Sequence, residues 1–260
     1  MSSHPFFVSA IIPVYNGGAF LEEAVESIRQ QDYEPLEIII VDDGSTDNTK
    51  EVAASFGNEV RYVYHHNSGL PATRNRGLSM TRGNIIAFLD VDDLWSKDKL
   101  KIQIPLLKES PSTEIVLGYT QILMLKNTTD GKKIFEGWSD PVLAMSVWSA
   151  VFRRSVFDKV GLFDETQRYS DDWDWFMRAR ELGVEMRIHK EVIHFYRRHD
   201  QNMTNQQALG NHYFIRMLKK SLDRRRLQHG GMALSLPKLS ELKKESGGRP
   251  SGSAERDAKD

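Results

Sequence analysis

The chain has 260 residues, 40% of them hydrophobic, and its 35 basic residues nearly balance its 36 acidic ones. This hydrophobic content is sufficient for a sizeable core in a soluble globular protein, and the balanced charge predicts no nucleic-acid partner. The absence of cysteine excludes disulfide frameworks, thiolate zinc sites and cysteine nucleophiles. No apolar stretch approaches the ~20 residues that span a bilayer, so we expect a cytoplasmic protein, either free or docked peripherally at the inner face of a membrane.

The first hundred residues alternate short apolar runs with amphipathic segments, which is typical of a wound parallel sheet. The predicted strands cover residues 8–15, 36–41, 60–64 and 84–89. The predicted helices between them cover residues 19–30, 46–56 and 71–80. Ligands bind beyond the carboxyl ends of the strands in such sheets, so the carboxylates after Val41 and Leu89 lie where a site is expected.

The second half of the chain is less regular. The pattern predicts helices over 99–108, 171–182 and 205 to about 228, a strand over 114–125, and a turn at Asp130 and Gly131 leading into 132–135. The last helix carries a basic cluster between Lys219 and Arg226, which we interpret as a solvated face rather than a contact to anionic lipid. Residues 237–260 are rich in Lys, Glu, Ser and Gly, which predicts a disordered tail.

Three carboxylates follow the fourth predicted strand in the stretch LDVDDLW, residues 89–95. In an extended segment Asp90 and Asp92 project to one face while Val91 turns back to the core. Two carboxylates at this spacing suit Mg²⁺ or Mn²⁺, which completes its shell with substrate phosphates and water. The alternative is structural, because Asp92 or Asp93 also suits the N-cap of a following helix.

Other motifs add polar groups to the same predicted edge. Asp42 and Asp43 are placed to accept hydrogen bonds from a ribose hydroxyl or a base N–H, although the residues after them read as an ordinary turn and cap. Arg74 lies in the predicted helix that follows a loop with Gly and Pro, where its guanidinium is able to form two hydrogen bonds to a diphosphate. The alternative is an ordinary exposed arginine. His199 is either a metal or phosphate partner or an ordinary polar residue.

The stretch SDDWDWFMRARELG, residues 170–183, reads by default as a helix with an acidic N-terminus. That interpretation leaves three acids and two tryptophans within five residues unexplained. A carboxylate beside aromatic rings is what a general base for a sugar hydroxyl requires, since rings cover apolar sugar faces while the acid takes the proton.

Taken in order, VSAIIPVYNGGAFLEEAVESIRQQ, IIIVDDGSTDNT, NSGLPATRNRGL, IIAFLDVDD, VFRRSVFDKVGLFDE and SDDWDWFMRA resemble family 2 of the glycosyltransferases over residues 8 to about 204. The resemblance implies an α/β GT-A fold, with a Rossmann-like, mostly parallel central sheet flanked by helices and a C-terminal helical extension. It also implies one domain over 1–236, divided into a nucleotide-sugar-binding half (1–110), an acceptor and catalytic half (111–204) and the C-terminal helix (205–236).

The resemblance also assigns roles to residues. Pro13, Tyr15 and Asp43 correspond to the nucleoside pocket, with Asp42 beside them. Asp92 corresponds to the metal ligand, Asp90 to a ribose or metal-shell contact, Arg74 to a diphosphate contact and His199 to a residue near the metal and diphosphate. Asp172 corresponds to the catalytic base, but Asp171 stands where the family has a glutamate, which leaves Asp171 and Asp174 as alternatives.

The activity implied is inverting transfer of a sugar from a nucleotide-diphosphate donor to an acceptor hydroxyl, with Mg²⁺ or Mn²⁺ on the diphosphate. We expect the donor to be a UDP-sugar and the acceptor to be a glycan, a lipid-linked glycan or another molecule with a free hydroxyl. Polysaccharide biosynthesis is the process that such an activity serves. Because an aspartate with a pKa of ~4 is a weak base, we expect proton transfer to be late and coupled to attack. One alternative is a non-catalytic protein that binds sugar nucleotides. The other is a haloacid-dehalogenase-like phosphatase, because residues 90–94 also resemble the nucleophile motif of that class.

Overall fold

Ten strands and seven α-helices form the regular structure of the residues that the computed structural model describes, which are 6–129, 132–228 and 243–244. The strands are β1 (Val8–Val14), β2 (Leu36–Asp42), β3 (Val60–Tyr64), β4 (Ile85–Phe88), β5 (Leu94–Trp95), β6 (Ile115–Thr129), β7 (Lys132–Gly137), β8 (Ala150–Arg153), β9 (Met186–Arg198) and β10 (Lys243–Lys244). The helices are α1 (Gly18–Arg29), α2 (Thr49–Ser55), α3 (Leu70–Met80), α4 (Lys99–Glu109), α5 (Ser155–Val160), α6 (Asp171–Glu181) and α7 (Gln207–Gln228).

The central sheet has the order β10-β9-β6-β8-β4-β1-β2-β3. Strands β4, β1, β2 and β3 pair in parallel, as their alternation with helices predicts. The second half of the sheet is mixed, because β8 pairs antiparallel with both β4 and β6. The chain passes from β6 to β8 through the β6–β7 hairpin rather than through a crossover helix. Strand β9 nevertheless pairs in parallel with both β6 and β10, so the expectation of a mostly parallel sheet is confirmed, with β8 as the antiparallel strand inside it.

Strands β1 and β4 are buried along their whole length and β2 along most of it, which explains their mainly apolar sequences. One apolar cluster joins them to α1 and α4, and the other, rich in aromatic rings, joins them to α5 and α6. Helix α3 approaches β1 so closely that a Cβ at Gly77 would lie 2.5 Å from the Cγ2 atom of Ile11. This packing fixes the start of α3 beside the carboxyl ends of β1 and β2.

Five further elements were not expected from periodicity, namely β5, β8, β9, β10 and α5. Strand β9 has the sequence MRIHKEVIHFYRR, in which buried histidines and arginine stems interrupt the apolar pattern. The predicted turn at Asp130 and Gly131 lies outside the described residues, as does the predicted tail apart from Lys243–Lys244, whose backbone pairs in parallel with β9. No helix in the described part of the chain is long and apolar enough to cross a membrane.

Candidate active site

A cavity of about 1280 Å³ opens at the carboxyl ends of β1 and β4 and is closed by the first turn of α6, the end of β9 and the start of α7. Its volume exceeds that of an ordinary small-molecule pocket, so it has room for two substrates. Eight of the nine residues proposed from the sequence line it, namely Pro13, Tyr15, Asp43, Arg74, Asp90, Asp92, Asp172 and His199. The ninth residue, Asp42, does not.

The two neighbouring aspartates at the end of β2 have different surroundings. Asp42 is buried, and its carboxylate accepts hydrogen bonds from Tyr62 Oη (2.6 Å) and the Ser45 amide (2.7 Å), so it holds the turn after β2 instead of facing a ligand. Asp43 accepts hydrogen bonds from the amides of Ser68 (2.6 Å) and Gly69 (2.9 Å), which ties β2 to the loop before α3. Of the two neighbours, Asp43 is thus the one that lines the cavity, whereas the carboxylate of Asp42 is held by protein partners.

The carboxylates of Asp90 and Asp92 are partly exposed, by 23% and 25% of their side-chain surface. Asp92 Oδ2 accepts a hydrogen bond from Asn202 Nδ2 (2.9 Å) and lies 3.2 Å from His199 Nε2. The Gln201 amide donates to His199 Nδ1 (3.2 Å), so in the neutral ring the proton lies on Nε2 and points at Asp92. In this arrangement His199 orients Asp92, and its expected place near a metal stays a prediction.

The structural alternative for Asp92 and Asp93, a helix N-cap, is wrong. The chain continues into β5, which pairs with β9, and α4 begins only at Lys99. Asp93 is buried, and its Oδ1 accepts a hydrogen bond from the backbone amide of Arg197 (2.8 Å). Asp93 therefore anchors the acidic loop to β9, which leaves Asp90 and Asp92 facing the cavity.

Arg74 is the buried centre of the site, with only 1% of its side chain exposed. Its Nη1 lies 2.6 Å from Asp171 Oδ2 and its Nη2 lies 3.1 Å from Asp90 Oδ1. The guanidinium thus joins the acidic loop after β4 to the first turn of α6. Both guanidinium ends are engaged by carboxylates, and Arg74 also lines the cavity, so its expected contact to a diphosphate stays a prediction.

Asp171, Asp172 and Asp174 in the first turn of α6 are the three candidates for the general base, and they differ in their contacts. Asp171 is paired with Arg74, whereas Asp174 pairs with Arg178 (2.9 Å) and Arg224 (3.3 Å) and does not line the cavity. Asp172 accepts a hydrogen bond at Oδ1 from the Trp173 amide (2.8 Å), and its Oδ2 is buried without a hydrogen-bond partner.

Burial, reinforced by the negative charge of Asp171, raises the pKa of Asp172 to about 7 although Arg74 opposes the shift. A carboxylate with this pKa is a much stronger base than an ordinary aspartate. The geometry and the pKa both single out Asp172 among the three acids.

The two tryptophans of α6 have different positions. Trp175 is fully buried, packs against Phe157 at 4.9 Å between ring centroids, and belongs to the core. Trp173 is 44% exposed and lines the cavity together with Tyr169 and Tyr213, whose ring centroids lie 5.6 Å apart. Aromatic surface beside Asp172 therefore comes from Trp173 and from the start of α7.

Sequence reasoning missed Asn202, which contacts Asp92. Trp148 lines the cavity from the turn before β8. The signal for Asn202 was its position three residues after His199, since both side chains meet the same carboxylate. Among the described residues no group of three or more acidic or histidine side chains is arranged to hold a metal ion. Two partly exposed carboxylates are nevertheless sufficient protein ligands for Mg²⁺.

Comparisons with known proteins agree with this geometry. The family model described as glycosyl transferase family 2 matches residues 9–227, and the chain belongs to that family. An uncharacterized glycosyltransferase of Rickettsia typhi is 33% identical over 211 residues, covering 76% of this chain and 66% of the relative. The chain thus spans slightly less than two thirds of that relative's length.

Two solved structures show the same fold at low identity. Staphylococcus aureus TarS, residues 1–349, in complex with UDP-GlcNAc aligns with a TM-score of 0.66 and 19% identity, covering 85% of this chain and 66% of that one. The mannosyltransferase PcManGT from Pyrobaculum calidifontis, in complex with GDP-Man and Mn²⁺, aligns with a TM-score of 0.63 and 18% identity, covering 85% and 65%. The predicted GT-A fold is confirmed.

Proposed function

We propose that this chain is an inverting glycosyltransferase that moves a sugar from a nucleotide-diphosphate donor to an acceptor hydroxyl, with Asp172 as the general base. The observation that carries the proposal is the buried carboxylate of Asp172, which has an unpartnered oxygen, in the same cavity as Asp43, Asp90 and Asp92. Family membership and the nucleotide sugars bound by the two structural neighbours support it.

In the reaction, an acceptor hydroxyl attacks the anomeric carbon from the face opposite the diphosphate while Asp172 Oδ2 removes its proton. The new carbon–oxygen bond forms as the bond from the anomeric carbon to the phosphate oxygen breaks, so the configuration inverts. With a pKa of about 7, Asp172 is half ionised near neutral pH and takes the proton more readily than an ordinary aspartate would. This modifies the expectation of a very late proton transfer.

The donor half of the cavity has groups suited to a nucleotide. Pro13 and Tyr15 line the cavity at the end of β1, and Tyr15, 54% exposed, offers its ring to a base. Asp43, fixed by two backbone amides, has a carboxylate held in one orientation for a base N–H or a ribose hydroxyl. A UDP-sugar is the first donor to test, as UDP-GlcNAc is what TarS binds.

Asp90 and Asp92 fit a divalent cation, since both carboxylates line the cavity, are partly exposed and are hard oxygen donors. When bound, Mg²⁺ or Mn²⁺ would supply positive charge to the leaving diphosphate. His199 and Asn202 hold Asp92 in place for this role, and Arg74 holds Asp90.

The two alternatives are less well supported. A non-catalytic binding protein has no need of a buried carboxylate with a raised pKa opposite the nucleotide side, because burying such a group unpaired destabilises the fold. A dehalogenase-like phosphatase uses the first carboxylate of its motif as a nucleophile, whereas Asp90 is engaged by Arg74. Family membership argues against it as well.

The test is a thermal-shift titration of the purified chain with UDP-, dTDP- and GDP-sugars, each with and without Mn²⁺. Because a ligand that binds only the folded state raises Tm, we expect a metal-dependent rise with one nucleotide series. That donor is then incubated with candidate acceptors, and release of nucleoside diphosphate and the anomeric configuration of the product are measured. Binding without release would favour the non-catalytic alternative, and no binding with hydrolysis of a phosphate monoester would favour the phosphatase.

A further inference from the structure

Helix α7 has an inner face that is fully explained by the fold. Met217 and Ser221 are buried against α6, and Ser221 Oγ donates a hydrogen bond to Glu181 Oε1 (2.5 Å). Arg224 Nε also donates to Glu181, at Oε2 (2.7 Å), and Lys220 is paired with Asp164. These contacts fix the rotation of α7 and therefore determine which side chains point outward.

The exposed side of α7 carries an apolar stripe. Four large apolar side chains recur on it at helical spacing, with exposures of 38%, 67%, 40% and 38%: Phe214, Ile215, Leu218 and Leu222. Residues three, four and eight positions apart lie on the same side of a helix, so these side chains form one stripe. We name it the α7 stripe. A soluble helix normally places polar residues here.

Basic residues flank the α7 stripe along its C-terminal half. Lys219 and Arg226 are exposed and Arg225 is half-buried, and each lies within about one turn of Leu218 or Leu222. Asp223 is the single acidic residue of α7. The surface therefore combines apolar side chains with cations, which suits the boundary between acyl chains and anionic headgroups.

The α7 stripe is continuous with the mouth of the candidate active site. The rings of Phe214 and Trp173 meet edge to face with their centroids 5.9 Å apart, and Trp173 lines the cavity. Leu209, 47% exposed at the start of α7, and Met203, 46% exposed just before it, also line the cavity. A surface bound to the α7 stripe would therefore lie beside the opening through which an acceptor reaches Asp172.

We propose that the outer face of α7 docks on an anionic lipid bilayer and that the enzyme takes its acceptor from that surface. The second part rests on the function proposed above. A second copy of the chain is the less suitable occupant, since a two-fold pairing of this face would bring together two surfaces that carry the same basic residues, with Asp223 as the single acid of α7 to offset them. An anionic bilayer instead complements those charges and takes up the apolar side chains. The cluster that the sequence alone presented as a solvated face thereby acquires a role.

The test is co-flotation of the full chain with vesicles of phosphatidylglycerol and phosphatidylcholine, compared with vesicles of phosphatidylcholine alone. We expect binding to the anionic vesicles that weakens as salt is raised. The double variant Ile215→Glu/Leu218→Glu should weaken that binding by about tenfold or more, because both side chains would have to enter the interface as carboxylates. The matched control is Leu162→Glu, which makes the same change at an exposed leucine (56%) outside α7.

Nucleotide-sugar thermal shifts on the same proteins separate the two proposals. If the double variant keeps the nucleotide shift of the wild type but loses vesicle binding, docking is supported independently of nucleotide binding. Wild-type protein that gives the nucleotide shift but does not float with anionic vesicles would overturn the docking proposal and leave the proposed function standing. Equal binding to neutral vesicles would overturn the charge argument, and a dimer abolished by the double variant would show that a second copy occupies the face.

Discussion

Asp172→Asn is the most informative substitution, because it should lower activity and raise stability together. Asparagine keeps an oxygen for the Trp173 amide but is unable to accept a proton from the acceptor hydroxyl. General base catalysis typically contributes ~10²–10⁴-fold in rate, so we expect kcat to fall by about that factor while donor binding persists.

The structure also sets the size of the stability effect. The pKa of Asp172 rises from an ordinary 3.8 to about 7, so folding favours the neutral over the ionised carboxyl by about 4 kcal/mol relative to the unfolded chain. A raised carboxyl pKa means that the wild-type chain loses stability as pH rises from ~4 to ~7. Asparagine has no charge to bury, so at pH 8 the free energy of unfolding of the variant should exceed that of the wild type by up to about 4 kcal/mol, and at pH 4 the variant should have no advantage.

The assays are denaturant unfolding at pH 4 and pH 8, and kcat/KM as a function of pH. For the wild type we expect kcat/KM to rise with pH and level off above about 7, since the base must be ionised. The matched control is Asp174→Asn, in the same helical turn, where loss of the pairs with Arg178 and Arg224 should reduce stability but spare turnover. Full activity of Asp172→Asn, or a wild-type profile that is flat through pH 7, would refute the reasoning.

Other substitutions test the remaining parts of the site. Asp43→Ala should abolish most of the nucleotide binding that calorimetry measures. Substitution of its neighbour, Asp42→Ala, should lower Tm and leave the affinity for the nucleotide close to wild type. Equal losses of affinity in the two variants would contradict the assignment of Asp42 to the turn. Arg74→Met leaves the carboxylates of Asp90 and Asp171 without their cation, so it should lower the free energy of unfolding at pH 8 by about 3–5 kcal/mol and by less at pH 4. An unchanged midpoint of urea unfolding would exclude a stabilising role for this ion-pair cluster. Asp92→Ala should remove the Mn²⁺-dependent part of donor binding and keep the metal-independent part, which titrations with and without Mn²⁺ resolve.

Local pattern was sufficient for the first half of the fold. Strands β1, β2, β3 and β4 and the helices between them appear where periodicity predicts them, because buried parallel strands need apolar residues on both faces and the covering helices need one apolar stripe. Strand β9 escaped prediction, since its buried histidines and arginines are accommodated by partners distant in sequence, as the contact of Asp93 with the Arg197 amide illustrates. Local sequence propensity contains no information about contacts with residues distant in the chain.

The sequence by itself determined the chemical types at the site, since acids at strand ends and an acid-rich helix start are local features. Only the tertiary structure separated these acids by their surroundings. Asp42 and Asp43 are neighbours in sequence, but only Asp43 lines the cavity, and Asp172 is distinguished from Asp171 by contact with Arg74, which lies 97 residues away from Asp171 in the chain. Burial and charge pairing depend on the whole fold, and they determine whether a carboxylate holds a turn, balances an arginine or accepts a proton.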